Sequence, residues 1–317
     1  MRKLFLLTLL PLYLWADAHL FVFHRFDDVR HPSTNTSTET LRAEFEYLKK
    51  HDYEVISLKR LHEAFQKGET ISDKWVVLTI DDSFKSFYEN GLPLFKEYGY
   101  PFTLFVYVQA TVGNYGDYMS WKQIEEASKY GEIGFHSYAH PHLVSLSDAA
   151  IAKDSEKGMA IMEEKLGYKP KYYAYPYGEY NERVRQQLEH FGFDLIINQN
   201  AGAVDLSSDP HDLDRTALTG ANNIKVKLRT RTMPTTWIYP KDWPKNGKIT
   251  TLKATLPKEV KRIEYYISGY GWKSATVNNG DLAAKVDKKL KMNRTRIFLK
   301  SGNRQSSIIL VKNTTKK

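Results

Sequence analysis

Hydrophobic and polar positions follow two different patterns along the chain, and the change comes near residue 222. Before it, short apolar runs typical of buried strands alternate with longer stretches in which apolar residues recur every three or four positions, as in helices. Strands that alternate with helices predict a parallel α/β sheet. At least six such units favour a distorted (β/α) barrel of about seven strands over a small open sheet.

The predicted elements of this first part have the following bounds. The strands are expected at 20–24, 54–57, 75–80, 102–108, 132–136, 172–175 and 194–198. The helices are expected at 38–51, 58–67, 83–98, 120–130, 147–166 and 179–192. Ser37 or Thr38 can cap the first helix, and Gly68 follows the second.

The second part consists of short runs rich in Val, Ile, Thr and Tyr. They lie at 224–233, 248–254, 261–267, 274–277, 294–300 and 306–311, with turn formers such as Asn279-Gly280 between them. We therefore expect two domains, an α/β domain at 19–222 and an all-β, sandwich-like domain at 223–317.

The first 18 residues have the pattern of an export signal. Arg2 and Lys3 precede an apolar stretch at 4–15, and Ala16-Asp17-Ala18 is a small-x-small cleavage pattern. An uncleaved anchor or a buried first strand is the alternative. We expect export to the periplasm or the extracellular space, and no later segment has about 18 consecutive apolar residues.

Composition and charge exclude several kinds of chemistry. The chain has no cysteine, so any metal must be held by histidines and carboxylates. The net charge of +9 could indicate an acidic partner, but a solvated basic face late in the chain is the simpler interpretation. No nucleic-acid partner is expected, because the chain carries an export pattern and no stacking-plus-basic motif. The residues of this basic stretch are Lys285, Lys288, Lys289, Lys291, Arg294, Arg296 and Lys300.

Two pairs of polar residues follow predicted strands. Asp81 and Asp82 follow the run 75–80, and His136 and His140 lie at the end of the run 132–136. Active residues of barrels lie at this end of the strands. Taken alone, one of the two aspartates could instead cap the helix expected at 83–98.

The histidine spacing is compatible with one metal site. Two imidazoles four residues apart on one helical turn can reach a single ion, and Gly134 permits a close turn upstream. His142 is a competing ligand. Two histidines and one carboxylate would leave an ion an open face for water and substrate, and the spare carboxylate could accept a proton from the water.

These motifs resemble those of polysaccharide deacetylases of the NodB-homology group, carbohydrate esterase family 4. Thr79-Ile80-Asp81-Asp82-Ser83 corresponds to the family's T-F-D-D-G motif, and His136-Ser137-Tyr138-Ala139-His140 to its H-[ST]-x-x-H motif. Tyr175-Pro176-Tyr177-Gly178 meets only part of the third motif, an Arg followed closely by Pro-Tyr-Gly. The resemblance extends over about residues 19–220.

The resemblance implies a role for each matching residue. Asp81 would be the catalytic base, Ser137 would order the loop of the second motif, and Tyr177 would offer its backbone N–H to the oxyanion. The implied cofactor is a divalent metal, with Zn²⁺ preferred and Co²⁺, Fe²⁺ and Ni²⁺ as alternatives. Its implied ligands are Asp82, His136 and His140.

Two residues of the family are missing, the arginine of the third motif and a late Leu-x-x-His that supplies the general acid. Both are also missing from the branch that deacetylates poly-β-1,6-N-acetylglucosamine, whose motifs are circularly permuted. Resemblance to that branch implies that His24 is the general acid and that Arg215 orients Asp81. A histidine satisfied by a backbone carbonyl is the alternative for His24.

The resemblance implies a hydrolase that removes N-acetyl groups from an exported or cell-envelope polysaccharide and releases acetate. Its substrate would be an N-acetylated glycan polymer of the poly-N-acetylglucosamine kind. Polysaccharide export or synthesis machinery is a second kind of partner that the resemblance allows. The alternatives are a peptidoglycan N-acetylglucosamine deacetylase and a glycan-binding protein on an inactive deacetylase scaffold.

Overall fold

The computed structural model describes residues 16–220 and 223–314. The predicted export signal therefore lies outside the described residues, except for its last three. Of these, Ala18 pairs with Val204 through two backbone hydrogen bonds of 2.8 and 2.9 Å. None of the helices within the described ranges combines the length and the apolar character needed to cross a membrane.

The first part of the chain forms short strands separated by helices. The strands are β1 His19–Phe23, β2 Arg25–Phe26, β3 Asn35–Thr36, β4 Glu54–Ile56, β5 Trp75–Ile80, β6 Thr103–Val106, β7 Glu132–Phe135, β8 Tyr172–Ala174, β9 Leu195–Ile197 and β10 Thr216–Ala217. The helices are α1 Thr38–Lys50, α2 Leu58–Lys67, α3 Leu92–Tyr98, α4 Val108–Val112, α5 Trp121–Ala127, α6 Asp148–Leu166 and α7 Glu182–Glu189.

Eight of these strands form one sheet in the order β10-β1-β5-β6-β7-β8-β9, with β4 paired to β5, and every ladder in it is parallel. The sheet curls until its two edges are bridged by one segment. Leu213 pairs with Ile197 of β9, and Thr216, three residues later, pairs with Phe21 of β1. The prediction of a curled parallel sheet with helices is confirmed, whereas the size of the barrel stays a prediction.

Local chemistry explains why several elements begin and end where the sequence predicts. β5 is apolar and buried throughout, as a strand covered on both faces must be. Ser57 precedes α2 and its hydroxyl accepts the N–H of Arg60, while Gly68 ends that helix with φ 63°. Ser147 caps α6 in the same way as Ser57 caps α2.

The helix predicted at 83–98 is confirmed from Lys85 onwards, but its first two residues are not helical. Ser83 has φ 58° and Phe84 pairs with Tyr118 in an isolated bridge, so no helix begins at Asp82. A π-helical turn at Phe87–Gly91 follows, and α3 begins only at Leu92. The alternative in which one aspartate of the pair caps this helix is therefore excluded.

Over its described residues, 223–314, the second part is all-β apart from one short helix, α8 Ile224–Lys227. Its strands are β11 Arg231–Thr232, β12 Thr236–Tyr239, β13 Lys248–Thr255, β14 Arg262–Ile267, β15 Gly271–Asn278, β16 Asp281–Lys289, β17 Arg294–Ser301 and β18 Arg304–Val311. They form one path in the order β11-β18-β17-β14-β15-β16-β13-β12, antiparallel except between β11 and β18. The all-β prediction is confirmed, and the sandwich description and the domain bounds stay predictions.

The second part differs from the sequence prediction at α8 and at the unpredicted strands β12 and β16. The strand predicted at 224–233 is wrong in its first part, because the side chain of Asn223 accepts the N–H of Lys225 and starts α8 there, and only Arg231–Thr232 of the run forms a strand. β16 was not predicted, because few of its residues are apolar. Leu282 and the small Ala284 are buried, and lysines occupy many of the other positions.

Candidate active site

A cleft of about 770 Å³ lies at the carboxyl end of the parallel sheet. Its walls come from both parts of the chain. The first part contributes His24, Asp82, His136, His140 and Tyr177, and the second part contributes Arg294 and residues at the end of β18. The sequence-predicted residues that follow β1, β5, β7 and β8 thus meet in one place.

Asp82, His136 and His140 converge on one point. The Oδ1 atom of Asp82 lies 3.1 Å from Nε2 of His140 and 3.5 Å from Nε2 of His136. The two Nε2 atoms are 3.2 Å apart. These three side chains form a group whose ligand atoms could surround one ion.

The protonation of this group fits a cation. His136 donates Nδ1–H to the carbonyl oxygen of Ala174 at 2.7 Å, and burial lowers the pKa of His136 to about 4. Its ring is therefore neutral, and its Nε2 presents a lone pair to the other two groups. Asp82 Oδ1 is buried and accepts no hydrogen bond among the described residues. A carboxylate oxygen and two imidazole nitrogens that face each other at 3.1–3.5 Å form a ligand set that suits a divalent ion.

Strained backbone brings these side chains together. Asp82, Ser137, His140 and Tyr177 all have left-handed φ angles, of 72°, 65°, 50° and 61°. Such angles cost non-glycine residues on the order of 1–3 kcal/mol each and cluster at functional sites. The expectation that His136 and His140 share a helical turn is wrong, because residues 136–140 form a loop in which Ser137 and His140 have positive φ angles.

One hydroxyl group and one carboxylate stabilise the loop of residues 136–140. Ser137 Oγ accepts the N–H of His140 at 2.8 Å. Asp154 of α6 accepts the N–H groups of Tyr138 and Ala139 at 2.8 and 2.9 Å. Sequence reasoning did not find Asp154, because nothing in a helix sequence indicates which turn will lie under a distant loop.

Gly134 has a different role from the one expected. It lies inside β7, and a Cβ there would approach the ring of Phe105 to 2.5 Å. The residue therefore provides space between neighbouring strands and no turn.

Asp81 has a different binding partner from Asp82. The guanidinium of Arg215 binds both oxygens of Asp81, at 2.7 Å each, and donates to Thr79 Oγ1 at 2.8 Å. Burial raises the pKa of Asp81, but the charges of Arg215 and His136 outweigh it and hold the pKa below its ordinary value. Asp81 is thus ionised at neutral pH, and its Oδ2 lies 3.9 Å from Nε2 of His136.

His24 follows β1 and lines the cleft. It is close enough to Asp81 and Asp82 that its charge contributes to lowering the pKa of both. Its Nδ1 atom is buried and has no hydrogen-bond partner among the described residues. The alternative in which this nitrogen is satisfied by a backbone carbonyl does not fit that finding.

Tyr177 lies beside the metal-ligand group. Its ring is 4.4 Å from the ring of His140 and stacks on the ring of His142 at 4.3 Å. His142 is not a member of the ligand group, and its Nδ1 is paired with Glu179 at 2.7 Å. The competing ligand considered from the sequence is therefore engaged elsewhere.

A second group of possible ligands does not suit a metal. Asp28, His31 and Asp117 lie close together, but arginines already bind the two carboxylates. Arg25 lies 2.5 Å from Asp28, and Arg30 lies 2.8 Å from Asp28 and 3.0 Å from Asp117. The arginines already neutralise the charge of these two carboxylates, so no metal ion is needed there.

The chain is similar to known proteins over its first part. Residues 68–196 match the family described as polysaccharide deacetylase. The poly-β-1,6-N-acetyl-D-glucosamine N-deacetylase of Escherichia coli strain K12 is 24% identical over 227 aligned residues, and the match covers 57% of this chain and 33% of the relative. The enzyme of the same name from Staphylococcus aureus strain MSSA476 is 25% identical over 210 residues, 62% of this chain and 71% of that one.

A solved structure has the same fold. The Streptococcus pyogenes deacetylase PplD, in complex with acetate, superposes with a TM-score of 0.61 and 20% identity over 65% of this chain and 94% of its own. This chain spans about a third of the length of the Escherichia coli relative. The family match contains Asp81, Asp82, His136, His140 and Tyr177. On the evidence of this match and of the relatives, residues 68–196 are similar to the polysaccharide deacetylase family.

Proposed function

We propose that this protein is a metal-dependent hydrolase that removes N-acetyl groups from a poly-β-1,6-N-acetylglucosamine-like polysaccharide. The observation that carries the proposal is the group Asp82, His136 and His140, whose Oδ1 and two Nε2 atoms lie within 3.5 Å of one another beside the ionised Asp81. The activity named for the Escherichia coli and Staphylococcus aureus relatives supports the choice of substrate.

Asp82, His136 and His140 would hold the ion, preferably Zn²⁺. When bound, a divalent ion lowers the pKa of a water and polarises a carbonyl group. His136 is suited to this because its other ring nitrogen, Nδ1, is already held by the Ala174 carbonyl oxygen, and Asp82 because its Oδ1 is buried and faces both imidazoles.

The protein's own groups divide the remaining work. Asp81, aligned by Arg215, accepts a proton from the attacking water, whose oxygen forms the new bond to the acetyl carbon. The backbone N–H of Tyr177 stabilises the charge that develops on the carbonyl oxygen. The carbon–nitrogen bond then breaks, and His24 gives a proton to the departing amine. The products are acetate and a glucosamine unit.

A polymeric substrate must be able to enter the cleft, so the enzyme has to be located where such polymers occur. The predicted export signal would bring it to the periplasm or the extracellular space. We propose this location together with the activity. Cell fractionation and the N-terminal sequence of the mature protein test it, and an uncleaved chain retained in the cytoplasm would contradict it.

Acetate release tests the activity. Oligomers of N-acetylglucosamine with β-1,6 and β-1,4 linkages, and peptidoglycan, are incubated with the Zn²⁺-loaded protein. Asp81→Asn removes the proposed base at nearly unchanged size, and Asp148→Asn on the exposed start of α6 is the matched control. We expect turnover of the β-1,6 oligomer by wild type and control only.

The other outcomes are informative as well. A preference for peptidoglycan would contradict the substrate while leaving the reaction intact. Binding of oligomers without acetate release from any of them would contradict the enzyme and favour a glycan-binding protein.

A further inference from the structure

Two arginines of the basic stretch reach the mouth of the barrel. Arg294 donates Nη2–H to the carbonyl oxygen of Tyr177 at 2.7 Å, and Arg296 donates Nη1–H to that of Gln199 at 2.8 Å. The two arginines are two positions apart on β17, so their side chains lie on the same face of the sheet. Tyr177 and Gln199 lie in the loops after β8 and β9. The interpretation of these two residues as part of a solvated basic face is wrong.

Arg294 takes part in a closed circuit of contacts around Tyr177. Besides binding the Tyr177 carbonyl, its Nε lies 3.4 Å from Oε1 of Glu179, a side chain that is 3% exposed. Glu179 Oε2 is paired with His142 Nδ1 at 2.7 Å, and the ring of His142 stacks on that of Tyr177 at 4.3 Å. Both the carbonyl and the ring of Tyr177 are thereby held.

Tyr177 needs such support because its backbone is strained. Its φ of 61° is unfavourable for a side chain with a Cβ, and the residue is 40% exposed, so burial contributes little to holding it. Without the contacts from β17, the loop could relax to an ordinary φ and carry the Tyr177 N–H away from the cleft.

The loop held by Arg296 contacts both the Tyr177 loop and the proposed base. Gly178, with φ 64°, packs so closely that a Cβ would lie 2.4 Å from Cβ of Gln199. The side chain of Gln199 donates to Asp81 Oδ2 at 3.4 Å. A displacement of either loop is therefore transmitted to the other and to the carboxylate.

We propose that Arg294 and Arg296 are positioning residues, through which the C-terminal sheet fixes the two loops that complete the catalytic site. They act through the backbone of Tyr177 and Gln199. The second part of the chain is then a component of the enzyme's active site. This inference rests on the proposed deacetylase function for its kinetic consequence, but its structural consequence can be measured without activity.

The test uses the full chain with Zn²⁺ bound. Arg294→Ala and Arg296→Ala remove the contacts, and Arg294→Lys keeps a single donor for the Tyr177 carbonyl. Arg304→Ala is the matched control, since Arg304 belongs to the same sheet but pairs with Glu259 on its exposed surface. Hydrogen exchange of a peptide spanning 176–180, kcat, KM, metal content and the unfolding midpoint are measured for each.

We expect faster exchange of the 176–180 peptide in Arg294→Ala than in Arg304→Ala. We also expect kcat to fall roughly ten- to a hundredfold with KM and metal content unchanged, since small misplacements of catalytic groups have costs of this size. Arg294→Lys should recover part of the loss. Arg296→Ala should show a smaller loss, because it acts through Gln199.

Several results would overturn the inference. One is wild-type exchange and kcat in Arg294→Ala, and another is a raised KM at unchanged kcat, which would make Arg294 a substrate-binding residue. If Arg294→Ala fails to fold, the exchange and kcat of Arg294→Lys and Arg296→Ala decide by the same criteria. If the wild type releases no acetate, the proposed function fails, and the exchange comparison alone decides whether the arginines hold the loop.

Discussion

Arg215 and Asp81 form a two-pronged ion pair in which both side chains are completely buried. The distances from Nη1 to Oδ1 and from Nη2 to Oδ2 are each 2.7 Å. Arg215 lies directly before β10, and Asp81 directly after β5, and β1 separates these strands in the sheet. The pair therefore links two loops across the mouth of the barrel and holds the proposed base in one orientation.

Removal of the arginine should cost both stability and activity. Arg215→Met leaves the Asp81 carboxylate buried without its partner, which typically costs ~3–5 kcal/mol. We expect urea unfolding to show a loss of this size and acetate release to fall to near zero.

The double variant Asp81→Asn/Arg215→Met has no unpaired charge and should be more stable than Arg215→Met alone, while remaining inactive. An Arg215→Met protein with the wild-type unfolding midpoint and turnover would show that the pair contributes neither stability nor orientation.

Metal binding should depend on each of the three ligands. Asp82→Ala, His136→Ala and His140→Ala each remove one of three acceptor atoms, so we expect substoichiometric Zn²⁺ in purified protein and loss of turnover. His190→Ala, at the end of α7 and away from the cleft, is the control.

A chelator should abolish the activity of the wild type, and added Zn²⁺ should restore it. Activity that persists after the metal has been removed, as measured by elemental analysis, would contradict the metal site.

His24→Ala should impair only reactions in which the leaving group needs a proton. An amine leaves poorly unless it is protonated, and a positioned acid typically contributes ~10²–10⁴-fold to such a step. We expect a loss within this range for acetate release from the β-1,6 oligomer. Hydrolysis of 4-nitrophenyl acetate should fall much less, because nitrophenolate leaves without a proton. Equal losses for both substrates, or none for the oligomer, would remove His24 from the role of general acid.

Glu44 of α1 should make stability depend on pH. It is 6% exposed, its Oε2 has no partner among the described residues, and burial raises its pKa to about 8. Between about pH 4.5 and 8 the folded protein binds more protons at this site than the unfolded chain does. Stability should therefore fall as pH rises, by up to ~1.4 kcal/mol per pH unit.

Comparison of variants isolates this contribution. Glu44→Gln should remove the share of the decline that Glu44 contributes, whereas Glu39→Gln on the exposed first turn of α1 should leave that share unchanged. Chemical unfolding at pH 4.5, 6 and 8 measures the difference, and parallel curves for wild type and Glu44→Gln would contradict the raised pKa.

The sequence predicted well those features that depend on neighbouring residues. β5 and α2 have the predicted bounds, because a continuous apolar run and a serine–glycine pair of caps act within a few positions. It failed where a contact between distant residues prevails, as in the chain after Asp82, where Ser83 turns the backbone and Phe84 pairs with Tyr118.

The same division holds for the candidate site. Asp81, Asp82, His136 and His140 could be found because each follows a strand, and parallel strands bring their carboxyl ends to one edge. Asp154, Glu179 and Gln199 carried no such signal, since an isolated polar residue in a helix or loop reads the same whether it faces solvent or a buried loop.

By itself, the sequence determined the order of strands and helices, the change to an all-β part near residue 222, and the polar residues that the sheet would bring together. Only the tertiary structure decided that Arg294 and Arg296, which look like surface charges in the sequence, donate to the loops around the cleft. Periodicity records which face of β17 a residue occupies, but the surface that covers that face is formed by residues about a hundred positions away.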